Sequence, residues 1–131
     1  MVNRLGLFVV AALALVGCDD FLGTVTGRIK LAPDARADGF SALEVHLDGT
    51  TGDAHDVEVS LAPFEFPSEF YVGGGCCGPD PAVFRLSAWL SNGTWEEPTA
   101  MPPIGAPHTE TMVPSNWRDS GSTSIELVLE P

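Results

Sequence analysis

Basic residues are scarce in this chain, with six Lys and Arg against eighteen Asp and Glu and a formal charge of −12. Arg28 and Lys30 share one short segment while Arg36, Arg85 and Arg118 stand apart, so no basic stripe is available to neutralise phosphates. The composition therefore argues against nucleic acid as a partner. Windows rich in helix formers are equally scarce, and 14 Gly and 11 Pro favour turns and short strands instead. No internal repeat is present. Catalytic signatures are missing too: there is no Gly-x-Ser-x-Gly elbow and no phosphate-binding glycine loop. Glu96 and Glu97 could serve glycoside hydrolysis only if they shared a face, and neighbours on a strand point to opposite faces. The expectation is a protein that is not an enzyme and carries no cofactor. Zinc is not expected either, because Cys76 and Cys77 lack a second ligand pair and His46, His55 and His108 are spread over different elements. Each His reads as an ordinary surface residue.

What is present begins at the N-terminus. Arg4 and the terminal amine precede Leu5 to Val16, a stretch without one polar side chain, in the manner of a secretory signal. At a rise of 1.5 Å per residue it would reach only about 18 Å as a helix, short of the roughly 30 Å hydrocarbon core, so it is not a retained membrane span. The run Leu15-Val16-Gly17-Cys18 that closes it resembles the lipobox of bacterial lipoprotein precursors. That resemblance implies cleavage after Gly17, a diacylglyceryl thioether on Cys18, and a mature protein held at a membrane of the cell envelope on the side away from the cytoplasm. At about 0.8 kcal/mol per buried methylene, several acyl chains anchor durably, and the domain needs no membrane-binding surface of its own. The expected organisation is a signal peptide over residues 1–17, a lipidated tether over 18–23 and one folded domain over 24–131. Loss of Arg4 would leave five bases against eighteen acids, a formal charge of −13 for the mature chain.

Period-two alternation sets the fold class of that domain. Val25, Gly27, Ile29 and Leu31 alternate with polar residues, as do Leu43, Val45 and Leu47, and then Val57, Val59 and Leu61. Phe66, Phe70 and Val72 mark a fourth strand, Phe84, Leu86, Ala88 and Leu90 a fifth, and Ile125, Leu127 and Leu129 the last, with a weaker strand over Thr109 to Val113. Strands that are dry on one face and wet on the other predict an all-β fold, an antiparallel two-sheet sandwich of about seven strands. Asn92-Gly93 reads as a type I′ hairpin turn, which would set Leu90 opposite Trp95, put Trp95 in the core and leave Trp89 on the other face to be covered by a loop or a partner. Ala32 to Phe40, Gly73 to Ala82 and Pro98 to Pro107 lack periodicity and read as loops, the last as an extended polyproline II crossover between sheets. The segments Val25-Thr26-Gly27-Arg28-Ile29, Leu43-Glu44-Val45-His46-Leu47, Phe66 to Val72 and Phe84 to Trp89 resemble transthyretin-like and carboxypeptidase-regulatory-like sandwiches. That resemblance is one of strand pattern. It implies a structural or adhesive role, and no catalytic residue carries over from it.

Three groups of residues are candidates for function. Cys76 and Cys77 sit adjacent among glycines; with the Cys18 sulfur lipidated they either close a strained vicinal disulfide or remain free thiols or intermolecular partners. Asp48, Asp53 and Asp56 crowd one hairpin and could offer oxygen ligands to calcium, the alternative being a solvated acidic turn. Trp89, Trp117 and Tyr71 are the aromatics that could stack on a ligand or meet a partner. Two functional classes follow: a non-catalytic structural or interaction module that binds another envelope protein, or a module binding a small ligand or glycan with calcium assistance.

Overall fold

The computed structural model describes residues 24–49, 55–73, 84–113 and 122–131. They form seven strands: β1 (Thr24–Leu31), β2 (Ala42–Gly49), β3 (His55–Leu61), β4 (Ser68–Gly73), β5 (Phe84–Ser91), β6 (His108–Met112) and β7 (Ser122–Leu129). The strands lie in two sheets, β4-β1-β7 and β3-β2-β5-β6. This is the all-β two-sheet sandwich that the alternation predicts. Its ladders are antiparallel except between β1 and β7, which run parallel. No described helix is long and apolar enough to cross a membrane.

The core lies where the inner faces of the sheets meet. Val25 and Ile29 of β1, Phe70 and Val72 of β4, and Leu127 and Leu129 of β7 pack against Leu43, Val45 and Leu47 of β2 and Phe84, Leu86, Ala88 and Leu90 of β5. Leu43 faces Leu90, Val45 faces Ala88 and Leu47 faces Leu86, so one register aligns the core-facing Leu and Val residues of β2 with apolar residues of β5. Gly27 interrupts the apolar series of β1 for a steric reason. A Cβ there would come within 1.7 Å of the Ile125 carbonyl oxygen, so only glycine lets β1 and β7 approach.

β3 and β4 close one side of the sandwich by an exchange between edges. Val57 and Val59 pair with His46 and Glu44 on the outer face of the four-stranded sheet, which turns Asp56 and Glu58 inward toward β4. There the Gly73 amide donates to Asp56 Oδ2 at 2.9 Å and the Tyr71 amide donates to Glu58 Oε1 at 3.2 Å. Edge amides that would otherwise offer a template for another chain are thereby occupied. Burial pushes the Glu58 carboxyl up from its ordinary value, the Tyr71 amide opposes this, and the charge of Asp56 adds to the rise.

Around Asn92-Gly93 the structure departs from the expected hairpin. β5 pairs instead with β6, and residues 92–107 fold back as a strap over the outer face of their own sheet rather than crossing to the other. The Asn92 side chain does not close a turn; its Oδ1 accepts from the Ser41 amide at 3.0 Å and from the Ser41 hydroxyl at 3.1 Å. Thr94 and Glu97 close a small turn of their own, with the Thr94 amide on the Glu97 carbonyl at 3.1 Å and the Glu97 amide on Thr94 Oγ1 at 3.0 Å. Trp95 rides on that turn and is 70% exposed, so its expected place in the core is corrected.

Three outcomes test this architecture. Gly27→Ala should cost about 3 kcal/mol or more in urea denaturation, since backbone must move to admit the methyl; a loss below about 1 kcal/mol would contradict the β1–β7 contact. Trp95→Ala should change stability by no more than about 0.5 kcal/mol. For Glu58 the folded value lies above the unfolded one, so its contribution to stability falls as pH rises from the ordinary carboxyl range through the raised folded value. Glu58→Gln keeps an acceptor for Tyr71 and cannot ionise. It should therefore gain on the parent protein between pH 4 and pH 7, and an unchanged difference in denaturation midpoints across that range would refute the assignment.

Candidate functional site

The outer face of the β3-β2-β5-β6 sheet carries an organised set of polar side chains. Cross-strand pairing sorts it into rows: His55 and Asp48 with Arg85, Val57 and His46 with Ser87 and Glu110, and Val59 and Glu44 with Trp89 and His108. Such faces are usually wet. Here the strap covers much of it, so that Glu44 and Ser91 are 0% exposed and His46 and Trp89 are each 4% exposed.

Glu44 is the centre of this cover. Its Oε1 accepts from His46 Nε2 at 2.9 Å and from the Thr99 amide at 3.0 Å, and its Oε2 accepts from the Thr99 hydroxyl at 2.8 Å and from the Ser91 hydroxyl. The Gly93 amide donates in turn to Ser91 Oγ at 3.0 Å, and the Trp89 indole donates to Thr99 Oγ1 at 2.7 Å. A Cβ on Gly93 would lie 2.7 Å from Glu44 Oε2, so this glycine serves close approach to a carboxylate. Burial alone would raise the Glu44 carboxyl, yet the hydrogen bonds from Ser91, His46 and Thr99 outweigh it and hold the group below its ordinary value. Glu44 is a buried anion fully engaged in holding the strap.

His46 is fixed on two sides. Glu44 takes its Nε2, and its ring stacks on Trp89 at a centroid distance of 4.2 Å and an interplanar angle of 15°. His55 comes to it across the β2–β3 ladder, with ring centroids 5.5 Å apart, and His55 Nδ1 is hydrogen-bonded to Asp48 Oδ1. Donor atoms of His46, Asp48 and His55 all lie within 4.8 Å of one another. The expectation that His46 and His55 are separate surface residues is thus corrected: His46 is buried, and the two meet. The missed signal is the register, because Asp48 and His55, seven positions apart in sequence, become direct partners only once β2 and β3 pair.

The other sequence candidates distribute differently. Asp48 and Asp56 point to opposite faces of the sheet, since Asp48 pairs with His55 and Asp56 with Leu47, and this geometry cannot close a calcium site around both. Asp53 lies outside the described residues, as do Cys18, Cys76, Cys77 and Trp117. Trp89, expected as a contact surface, is consumed by His46 and Thr99 beneath the strap. Tyr71 is 58% exposed and borders a shallow depression of about 440 Å³ with Thr26, Arg28, Glu58, Glu69 and Ser124. No family model matches the chain, and neither the curated proteins nor the solved structures contain a significant match.

The carboxylate at the centre gives a direct test. Glu44→Ala would leave the Ser91, Thr99 and His46 donors unanswered and should cost about 3 to 5 kcal/mol. Trp89 fluorescence should shift to the red as the strap loosens. A variant with parental stability and an unshifted spectrum would show that the strap is held by something else.

Proposed function

We propose that the protein is a lipid-anchored module of the bacterial cell envelope, displayed outside the cytoplasm, that works without catalysis by binding another envelope protein. The observation that carries the reading is the lipobox-like run Leu15-Val16-Gly17-Cys18, whose Cys18 lies six residues ahead of the first strand residue, Thr24. The five residues between them span at most about 18 Å, which keeps the sandwich close to the bilayer. The strap supplies a contact surface suited to the role. Trp95 and Met101 are each 70% exposed and Ile104 is 106% exposed, on a loop whose middle is pinned through Thr99 to Glu44. Large apolar side chains presented on a constrained segment are the usual anchors of protein interfaces. A small-ligand or glycan module is the second reading, supported by the depression beside exposed Tyr71.

The test is photocrosslinking in intact cells of the native lipidated protein, with a photoreactive residue in place of Trp95. A discrete protein adduct is expected, and it should disappear when Met101 and Ile104 are both changed to Ser. Absence of an adduct from a membrane-fractionating protein would overturn the interaction role. The N-terminal peptide from the same sample should carry acyl chains on Cys18, and an unmodified Cys18 would overturn the anchor.

A further inference from the structure

We propose that His46, Asp48 and His55 form a binding site for one divalent transition-metal ion of the zinc and copper class, open to solvent on one side. The site is independent of the anchor and of the strap's apolar tip. Its ligands are two imidazoles and one carboxylate, brought together by the β2–β3 ladder, which sets Asp48 directly opposite His55 and puts His46 two residues along on the same face. Imidazole nitrogen selects zinc, copper or nickel over the hard cations, which take oxygen ligands. The donor atoms lie within 4.8 Å of one another. Tetrahedral zinc with bonds of 2.0–2.1 Å needs its ligand atoms about 3.3 Å apart, so side-chain rotations on the order of 1 Å suffice without moving the strands.

The surroundings of His46 are those of a prepared ligand. Metal-bound histidines typically give their second ring N–H to a carboxylate, which fixes the tautomer and aims the free nitrogen. Glu44 Oε1 occupies that position at 2.9 Å from Nε2, so that Nδ1, the nitrogen not bonded to Glu44, is assigned to the ion. Glu44 is itself held by Ser91 and Thr99, and Trp89 stacks on the ring, so rotation of His46 is already restricted before an ion arrives. The opposite side of the cluster is accessible, with the His55 and Asp48 side chains 47% and 33% exposed. An ion can enter there, and a water or a donor atom from a partner can complete its coordination. Arg85, opposite Asp48 on β5, is the nearest cross-strand cation on this face, and Glu110 Oε1 lies 3.8 Å from its Nε.

Zinc alone is the probe, titrated by calorimetry into the full-length mature lipoprotein in detergent. A Cys76→Ser, Cys77→Ser background removes thiolate ligation from the reading. One ion per chain is expected, with at least about tenfold weaker binding in His55→Ala and in Asp48→Asn, both at accessible positions that leave the fold intact. His108→Ala should bind as the parent does. Cobalt in place of zinc should give the visible absorption of a four-coordinate nitrogen and oxygen site, and His55→Ala should abolish it. Because His46→Ala disturbs the buried network, Glu44→Gln serves as the variant for the supporting contact, with circular dichroism reporting its fold; about 10- to 100-fold loss of zinc affinity is expected. Failure to bind zinc, or binding that His55→Ala and Asp48→Asn leave unchanged, would overturn the proposal. Neither result would bear on Cys18 lipidation or on crosslinking at Trp95.

Discussion

A single buried carboxylate organises the outer face of the four-stranded sheet. Glu44 is the third residue of β2, on the side away from the hydrophobic core, where a strand residue would ordinarily meet water. An ionised group can persist there only if its lone pairs are filled, and the donors that fill them come from β5, from the strap and from the neighbouring histidine. Each contact has a structural consequence. Ser91 and Gly93 fix the exit from β5, Thr99 brings the strap down over Trp89, and His46 is locked with one nitrogen committed. Without the carboxylate the strap would keep its contacts at Asn92, at Pro107 and from the Trp89 indole, but would lose the bonds that bury its centre.

The rest of the sandwich is more ordinary and was more legible. The alternation in β1, β2, β5 and β7 gives the strands and their dry faces because those strands lie inside the sheets or pack wholly on the other layer. β3 could be read as a strand, but its apolar residues do not face the core. As an edge strand it turns Val57 and Val59 outward and uses Asp56 and Glu58 to hold the amides of β4. Alternation reports that two faces differ, and it does not report which one an edge strand turns inward. The parallel pairing of β1 with β7 was likewise invisible, although the space-limited Gly27 stood within the β1 pattern.

Asn92 and Gly93 both matter to the fold, for other reasons than hairpin geometry. Asn92 caps the start of β2 through Ser41, and Gly93 makes room for Glu44. The chain closes instead between Thr94 and Glu97, further on than the expected hairpin. The polar cluster was half visible. Glu44, His46 and Asp48 share one face of β2 by simple alternation, but that His55 joins them depends on register, and that they are covered depends on a loop docking from fifty-five positions away in sequence. The run Leu15-Val16-Gly17-Cys18, by contrast, only resembles a lipobox and bears on location, not on chemistry.

The strap belongs to the folded unit through Glu44, and amide hydrogen exchange at Thr99 tests this most directly. The Thr99 amide donates to both oxygens of the buried carboxylate, at 3.0 and 3.1 Å. It should therefore exchange only with global opening, as slowly as the central amides of β2 and β5, although it lies in an irregular segment. Exchange at the rate of a solvated loop, with β2 and β5 still protected, would contradict the account.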